Sequence, residues 1–284
     1  VRSAEPDYPS RTVRLVVANL AGGTSDILAR LISAKLADTW KQQIIVDNRP
    51  GASGLIGNEL VVKSPPDGYT YLVADLGSTT ITSLTRAKPT FDLQRGFSPV
   101  TIISYSPHLF CVHPSVPVSN IKQLIALAKA QPGKLNFSTA GQTSAPHFAA
   151  LLFMQRTGAT WEFIPGKGGA QAVLDLVTGQ ADITMNGMLA TLPYVKSGKL
   201  KLIAVSSEKR NPGLPETPTI QESGVAEDAA GGAAGRTSAA DRAPGAAALA
   251  TVPAAAKAVM PMPNKAGVFG IARIIKSWPK LNCI

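Results

Sequence analysis

The sequence has little of what most site chemistries need. Two cysteines in 284 residues are too few for a disulfide framework. Cys111 lies in the apolar run Leu109-Phe-Cys-Val112, which reads as a strand, so it is expected as a small core residue. Cys283 stands one residue from the end. Neither Cys-x-x-Cys nor His-Glu-x-x-His spacing occurs, so no metal site and no cofactor is expected. No uninterrupted apolar run reaches the roughly 18 residues that span a bilayer. The chain opens Val1-Arg-Ser-Ala-Glu, with neither an initiator Met nor a charged-then-apolar leader, which predicts a mature exported form whose signal has been removed. Aromatic residues make up 6%, and the Lys and Arg that give a net charge of +10 are scattered. Such a charge favours anionic partners, but without a basic stripe interleaved with aromatics no nucleic-acid binding is expected.

Hydrophobic content of 45% and charged content of 16% lie in the globular range, and the length suits one large or two modest domains. One segment type occurs twice. Residues 12–17 read as a strand, followed by the small-residue loop Ala21-Gly-Gly-Thr-Ser-Asp26 and a helix whose apolar face is Ile27, Leu28, Leu31, Ile32 and Leu36. Residues 135–138 read as a strand, followed by Thr139-Ala-Gly-Gln-Thr-Ser144 and a helix through Leu151 and Leu152. A helix N-terminus leaves backbone N–H groups unpaired and carries about half a positive charge, so each segment is a candidate anion site. Glycine permits close approach to the backbone, and Ser and Thr add hydroxyl donors.

Elsewhere strand and helix patterns alternate. Residues 44–46 and 71–74 read as strands, with a helix through Leu60 and Val62 between them and a further loop at 77–80. A second unit begins near Thr101, with strands at 102–103, 109–112, 181–184 and 200–205. Its helices are a Ser119-capped one through Ile121, Leu124, Ile125 and Ala128, and another over 170–177. This alternation predicts an α/β fold with largely parallel sheets and a cleft at the strand C-termini.

Other motifs read more plainly. Ser144 and His147 lie near a helix start without a nucleophile-elbow Gly-x-Ser-x-Gly, so a capping serine and a helical histidine are expected, not an enzyme. Gly51, Gly54 and Gly57 follow a strand, but their spacing is not that of a dinucleotide loop, so turns and close packing account for them. Asp26 and Arg30 read as a helix-start carboxylate with a surface partner.

A set of short stretches occurs in order between residues 8 and 225: Tyr8-Pro-Ser-Arg, Ala21-Gly-Gly-Thr-Ser-Asp-Ile-Leu-Ala-Arg30, Val46-Asp-Asn-Arg-Pro-Gly-Ala-Ser-Gly-Leu-Ile-Gly57 and Pro65-Pro-Asp-Gly-Tyr-Thr70, then Ala128-Lys-Ala-Gln-Pro-Gly-Lys-Leu-Asn136, Pro165-Gly-Lys-Gly-Gly169, Ser197-Gly-Lys-Leu200 and Leu214-Pro-Glu-Thr-Pro-Thr219. In this set the chain resembles the substrate-binding receptors of the tripartite tricarboxylate transporter family, the Bordetella uptake receptors. The resemblance implies a type II periplasmic-binding-protein fold, two lobes with a ligand cleft between them. It implies residues 1–102 plus 222–284 as the first lobe and 103–221 as the second. It further implies a periplasmic receptor that captures a small organic anion (a di- or tricarboxylate, an aromatic acid or an acidic amino acid) and delivers it to membrane permease subunits. Carried over by position, the first-lobe contacts are Ala21, Gly22, Gly23 and Thr24, with Ser78 and Thr79. The second-lobe contacts are Thr139, Ala140, Gly141 and Ser144, with Pro165, Gly166 and Lys167 at the rim and Asn186 in a further loop. The alternatives are the ligand-sensing effector domain of a regulator and a degenerate receptor without ligand.

Two departures concern the ligand. Ala18-Asn19 stand where the family has Pro and an aromatic, and Gly166 stands where it has tyrosine. A third is the Ala/Gly-rich stretch 226–265, which reads as disordered or as a locally shifted reading frame, before an amphipathic pattern returns at 268–281.

Overall fold

In the computed structural model, which describes residues 8–85 and 90–225, strand β1 (Val13–Val17) lies between β2 (Ile44–Asn48) and β3 (Thr70–Val73). Both pairings are parallel, with Leu15 opposite Val46 on one side and Tyr71 on the other. Parallel neighbours need crossover connections. Helix α1 (Thr24–Trp40) supplies the first, and a single 3-10 turn (Ala52–Gly54) with helix α2 (Leu55–Val62) supplies the second. Along α1, Leu28, Ala29, Ile32 and Leu36 are buried, the spacing that turns one helical face inward. Ala29 packs on Val13, Leu15 and Val17, while Ile32 and Leu36 meet Trp40, Ile44 and Tyr71.

Helices α3 (Leu76–Leu84) and α4 (Leu93–Gly96) lead to a five-stranded sheet. Its strands are β4 (His108–Val112), β5 (Asn136–Thr139), β6 (Glu162–Pro165), β7 (Ile183–Gly187) and β8 (Lys201–Val205), in the order β6-β5-β7-β4-β8. Strand β5 runs parallel to both neighbours, whereas β4 is antiparallel to β7 and β8. The connecting helices are α5 (Ile121–Ala130), α6 (Ala145–Thr157), α7 (Gly169–Val177) and α8 (Met188–Lys196). The core of this second lobe is aromatic: Phe137 stacks on Trp161 at 5.2 Å, and Phe153 stacks on the same indole at 5.6 Å. Cys111 is fully buried, as its apolar run predicts. Among the described residues no helix is long and apolar enough to cross a membrane.

The structure departs from the sequence reading at five places. Residues 77–80 are helical, not a loop, because Asp75 caps α3 by accepting the Ser78 N–H at 2.7 Å. The hydroxyls of Ser83 and Thr85 bond back to the carbonyls of Thr79 and Ile81, so residues with poor helix propensity fit the turn. Residues 102–103 make no strand; Ile103 instead packs against the first-lobe core. The cap of α5 is Asn120, whose side chain accepts from Gln123 N–H at 2.9 Å, while Ser119 donates to the Gln123 side chain. Helix α8 carries Pro193 and follows a glycine, which hid it from pattern reading. The second sheet is mixed because β4 runs against its neighbours. The expectations for 226–265 and 268–281 lie outside the described residues.

Candidate functional site

The start of α1 is built around one buried carboxylate. Asp26 is 2% exposed and accepts from Gly22 N–H at 2.9 Å, Arg30 Nε at 3.0 Å and Asn48 Nδ2 at 2.9 Å. Asn48 Nδ2 also donates to the carbonyl of Asn19, and its Oδ1 accepts from the Arg30 guanidinium. Burial opposes the charge on Asp26, yet Arg30, the Gly22 amide and Asn48 together hold its carboxyl below the usual range. Gly22 has φ +83, a conformation that favours glycine. The first helical bond of α1 runs from Ile27 N–H to Gly23 O, so the amides of Thr24, Ser25 and Asp26 precede the helical ladder.

Across the cleft, α7 begins in the same way. Its first helical bond is from Ala172 N–H to Gly168 O, which leaves the amides of Gly169, Ala170 and Gln171 ahead of the ladder. The two helix starts abut. A Cβ on Gly23 would lie 3.8 Å from Ala170 N, and a Cβ on Gly22 would lie 3.8 Å from Ala170 Cβ. Gly168, at φ +145, leaves room for the Leu20 amide, which a Cβ there would approach to 3.1 Å. The start of α8 comes to the same place, where Gly187 packs directly under the Thr24 side chain. The Thr24 hydroxyl is buried there without a hydrogen-bond partner.

The second small-residue loop opens α6. Ser144 caps it, accepting from His147 N–H and donating to Gly141 O. Thr139, fully buried, bonds to both the carbonyl and the amide of Gly141. The first amide of α6, Ala145 N–H, donates at 3.1 Å to the hydroxyl of Ser78, which comes from the other lobe.

The structure therefore brings Gly22 and Gly23 against Ala170 at the start of α7, with Thr24 on Gly187 and Asn186 on Gly169, whereas Ala21 is exposed. Ser78 meets Ser144 and its neighbours at the start of α6. Gly141 connects the two groups, since a Cβ there would lie 2.8 Å from Ser53 Oγ and 3.6 Å from Gly166 O. Gly166 donates its amide to Thr139 O at 2.8 Å, and a Cβ on it would come within 2.9 Å of that oxygen. Asn186 is buried; its amide donates to Gly169 O, and its Oδ1 accepts from Gly187 N–H. Pro165 and Lys167 are exposed at the rim, Thr79 is buried within α3, and Ala140 is half-buried.

Sequence reasoning missed several residues here. Asp26 is the expected helix-start carboxylate with Arg30 as its exposed partner, but it is itself buried and pins the first loop, and Asn48 completes it. Ser53, Thr82 and Thr143 touch across the cleft, a relation that only tertiary structure reveals. The Ser144–His147 pair makes no side-chain bond: the hydroxyl is engaged with backbone, and His147 Nδ1 is buried without a partner. An open groove of about 520 Å³ lies on the first lobe, away from these helix starts. Its arginines are already paired, Arg14 and Arg49 with Asp47 and Arg11 with Asp67.

Residues 28–268 match the tripartite tricarboxylate transporter family receptor. The chain belongs to that family. It is 33% identical over 221 residues to the protein BugT of Bordetella pertussis, covering 78% of this chain and 68% of BugT. It is 34% identical over 215 residues to a UPF0065 protein of Pseudomonas sp. strain P51, covering 76% of this chain and 64% of that relative's length. Among solved structures, the periplasmic binding protein BugD is 34% identical with a TM-score of 0.72, covering 76% of this chain and 72% of BugD. An R. palustris protein with adipate is 36% identical with a TM-score of 0.75, over 77% of this chain and 73% of that one. MatC from Rhodopseudomonas palustris, with bound malate, is 28% identical with a TM-score of 0.72, over 78% and 75%. The two-lobed periplasmic-binding-protein fold is thus that of this family.

Proposed function

We propose that this family member is a non-enzymatic, periplasmic receptor that captures a small organic carboxylate in the interlobe cleft and hands it to the permease subunits of a tripartite tricarboxylate-type transporter. The observation that carries the proposal is the meeting of α1 and α7. Two positive helix ends from opposite lobes lie against each other at Gly22, Gly23 and Ala170, with amides ahead of both helical ladders. Like ends repel, and a carboxylate between them turns that repulsion into attraction. The partnerless Thr24 hydroxyl beside them adds a donor. The one carboxylate of the first loop, Asp26, is already bound by Arg30 and Asn48 and braces the site.

In this reading the ligand's carboxylate meets Ala21, Gly22, Gly23 and Thr24 from residues 1–102 plus 222–284. From residues 103–221, Ala140, Gly141 and Gly166 border it. Lys167 and Pro165 stand at the rim. Ser78, Thr79, Thr139, Ser144 and Asn186 shape the loops that hold it. The adipate and malate held by the two related proteins support a small carboxylate as the solute.

A thermal-shift screen of the full chain against adipate, malate, tricarboxylates, aromatic acids and acidic amino acids tests this. A solute that binds the native state adds about 2.7 kcal/mol of stability at a hundredfold excess over its Kd. Gly22→Leu is expected to abolish that shift while the protein still melts cooperatively. A cooperative melt that no carboxylate moves, or a shift that Gly22→Leu preserves, overturns the reading.

A further inference from the structure

The two lobes also touch through a set of hydroxyls and backbone amides away from the paired starts of α1 and α7. On the first lobe these are Ser53, in the turn before α2, and Ser78 and Thr82, one helical turn apart on α3. On the second lobe they are Thr143 and Ala145 at the start of α6. Thr82 Oγ1 and Thr143 Oγ1 are 2.9 Å apart. Thr82 donates to Ser53 O at 3.3 Å, so its oxygen is left to accept, and the Thr143 hydroxyl donates to it. Thr143 N–H donates in turn to Ser53 Oγ at 3.5 Å, and Ala145 N–H to Ser78 Oγ at 3.1 Å. Three of these bonds cross between the lobes, and the fourth, from Thr82 to Ser53 O, ties the first-lobe side together. Thr82 is 1% exposed, so water is kept from its centre.

Two features make this a seat and not a chance touch. Gly141, at φ +143, is where Ser53 Oγ approaches: a Cβ there would lie 2.8 Å from that oxygen. The first amide of α6, which its own cap Ser144 does not reach, is satisfied from the opposite lobe by Ser78. An α6 start parted from the first lobe would lose that acceptor to water.

We propose that Ser53, Ser78, Thr82 and Thr143 are an interlobe latch that holds the cleft shut without any solute, with Ser78 acting as a helix cap supplied in trans. The latch sets how much of the unliganded population is already closed. A solute acting on a closed form that pre-exists gains affinity in proportion to that fraction. The latch is distinct from the paired helix starts of α1 and α7, so it stands whether or not a carboxylate is the solute.

The test uses the full chain, dialysed free of small molecules, and reads its radius of gyration by small-angle scattering. Thr143→Val keeps the shape of the side chain and removes the hydroxyl. Since one such bond is worth about a fivefold bias, the open-to-closed ratio is expected to rise about fivefold and the radius of gyration with it. Ser78→Ala, which removes the Ala145 acceptor, is expected to open the lobes likewise. Thr82→Ser, which keeps the hydroxyl, is expected to scatter as the parent does, whereas Thr82→Val opens. A helix-packing role predicts the reverse, because valine keeps the shape of the threonine side chain and serine loses its methyl group. Cooperative melting of each variant separates opening from unfolding. Identical scattering from the parent, Thr143→Val and Ser78→Ala overturns the proposal, as does equal opening by Thr82→Ser and Thr82→Val. No solute enters the measurement, so its outcome is independent of the carboxylate screen.

Discussion

The carboxylate of Asp26 accepts the backbone N–H of Gly22 at 2.9 Å, reaching back over the first turn of α1 to fix the loop that precedes it. The same oxygen receives Arg30 Nε, and the other receives Asn48 Nδ2. A buried charge so bound is costly to leave unpaired and costly to remove. Asp26→Ala is therefore expected to lose about 1.5–3 kcal/mol, the range for hydrogen bonds to charged groups. Because the folded carboxyl is held below its unfolded value, its stabilisation is fully present above the unfolded pKa and disappears as pH falls through the folded one. Urea midpoints of the parent and the variant should differ at pH 7 and draw together as the pH falls below the ordinary aspartate range. A constant gap down to acid pH would show that the charge of Asp26 is not what holds the loop.

A second pH window lies higher. His147, at the start of α6, and His108, at the start of β4, both have pKa values pushed down by burial; for His108 the charge of Asp75 acts the other way. A histidine kept neutral in the fold takes up its proton more readily when unfolded. Stability is thus level above about pH 7 and declines as pH drops below the ordinary histidine value of about 6.5. His147→Gln is expected to flatten part of this decline between pH 5 and 7. Unchanged curvature in urea midpoints across that range would assign the decline elsewhere.

What the sequence disclosed followed the physics of local pattern. Strand β1 was legible as a short apolar run, and the apolar face of α1 because period-3.6 burial is written in neighbouring residues. The two small-residue loops before helices were legible because Gly22 and Gly23 before α1, and Ser144 capping α6, act over a few residues. Helix α3 was not, since Gly77, Ser78, Thr79 and Thr80 carry turn propensity that only the Asp75 cap and back-bonded hydroxyls outweigh. Nor was the contact of Gly187 with Thr24 or of Ser53 with Thr143. These partners lie far apart in sequence, and lobe closure alone joins them.

Burial raises the Cys111 thiol well above the ordinary range. Native protein treated with iodoacetamide at pH 8 should leave Cys111 unmodified, as read by peptide mapping, and urea-unfolded protein should be labelled fully at it. Labelling of Cys111 in native protein at a rate near that of a free thiol would mean that β4 opens far more often than a strand paired on both sides allows.

Gly187 ends β7 at φ −57, a conformation that alanine adopts freely, so its replacement carries no backbone penalty. What the position cannot accept is volume: a Cβ there would run into the Thr24 hydroxyl of the other lobe. Gly187→Ala therefore acts on closure and not on folding. Overpacking of this kind costs about 1–3 kcal/mol, so any carboxylate that stabilises the parent is expected to bind the variant between about fivefold and a hundredfold more weakly. The melting temperature without solute should move little. Removing the opposing group tests the cause. In Gly187→Ala with Thr24→Ala the clash is gone, and the double variant should bind more tightly than the two single losses predict by addition. Strict additivity would mean that Thr24 and Gly187 act separately, and that the lobes do not close on this contact.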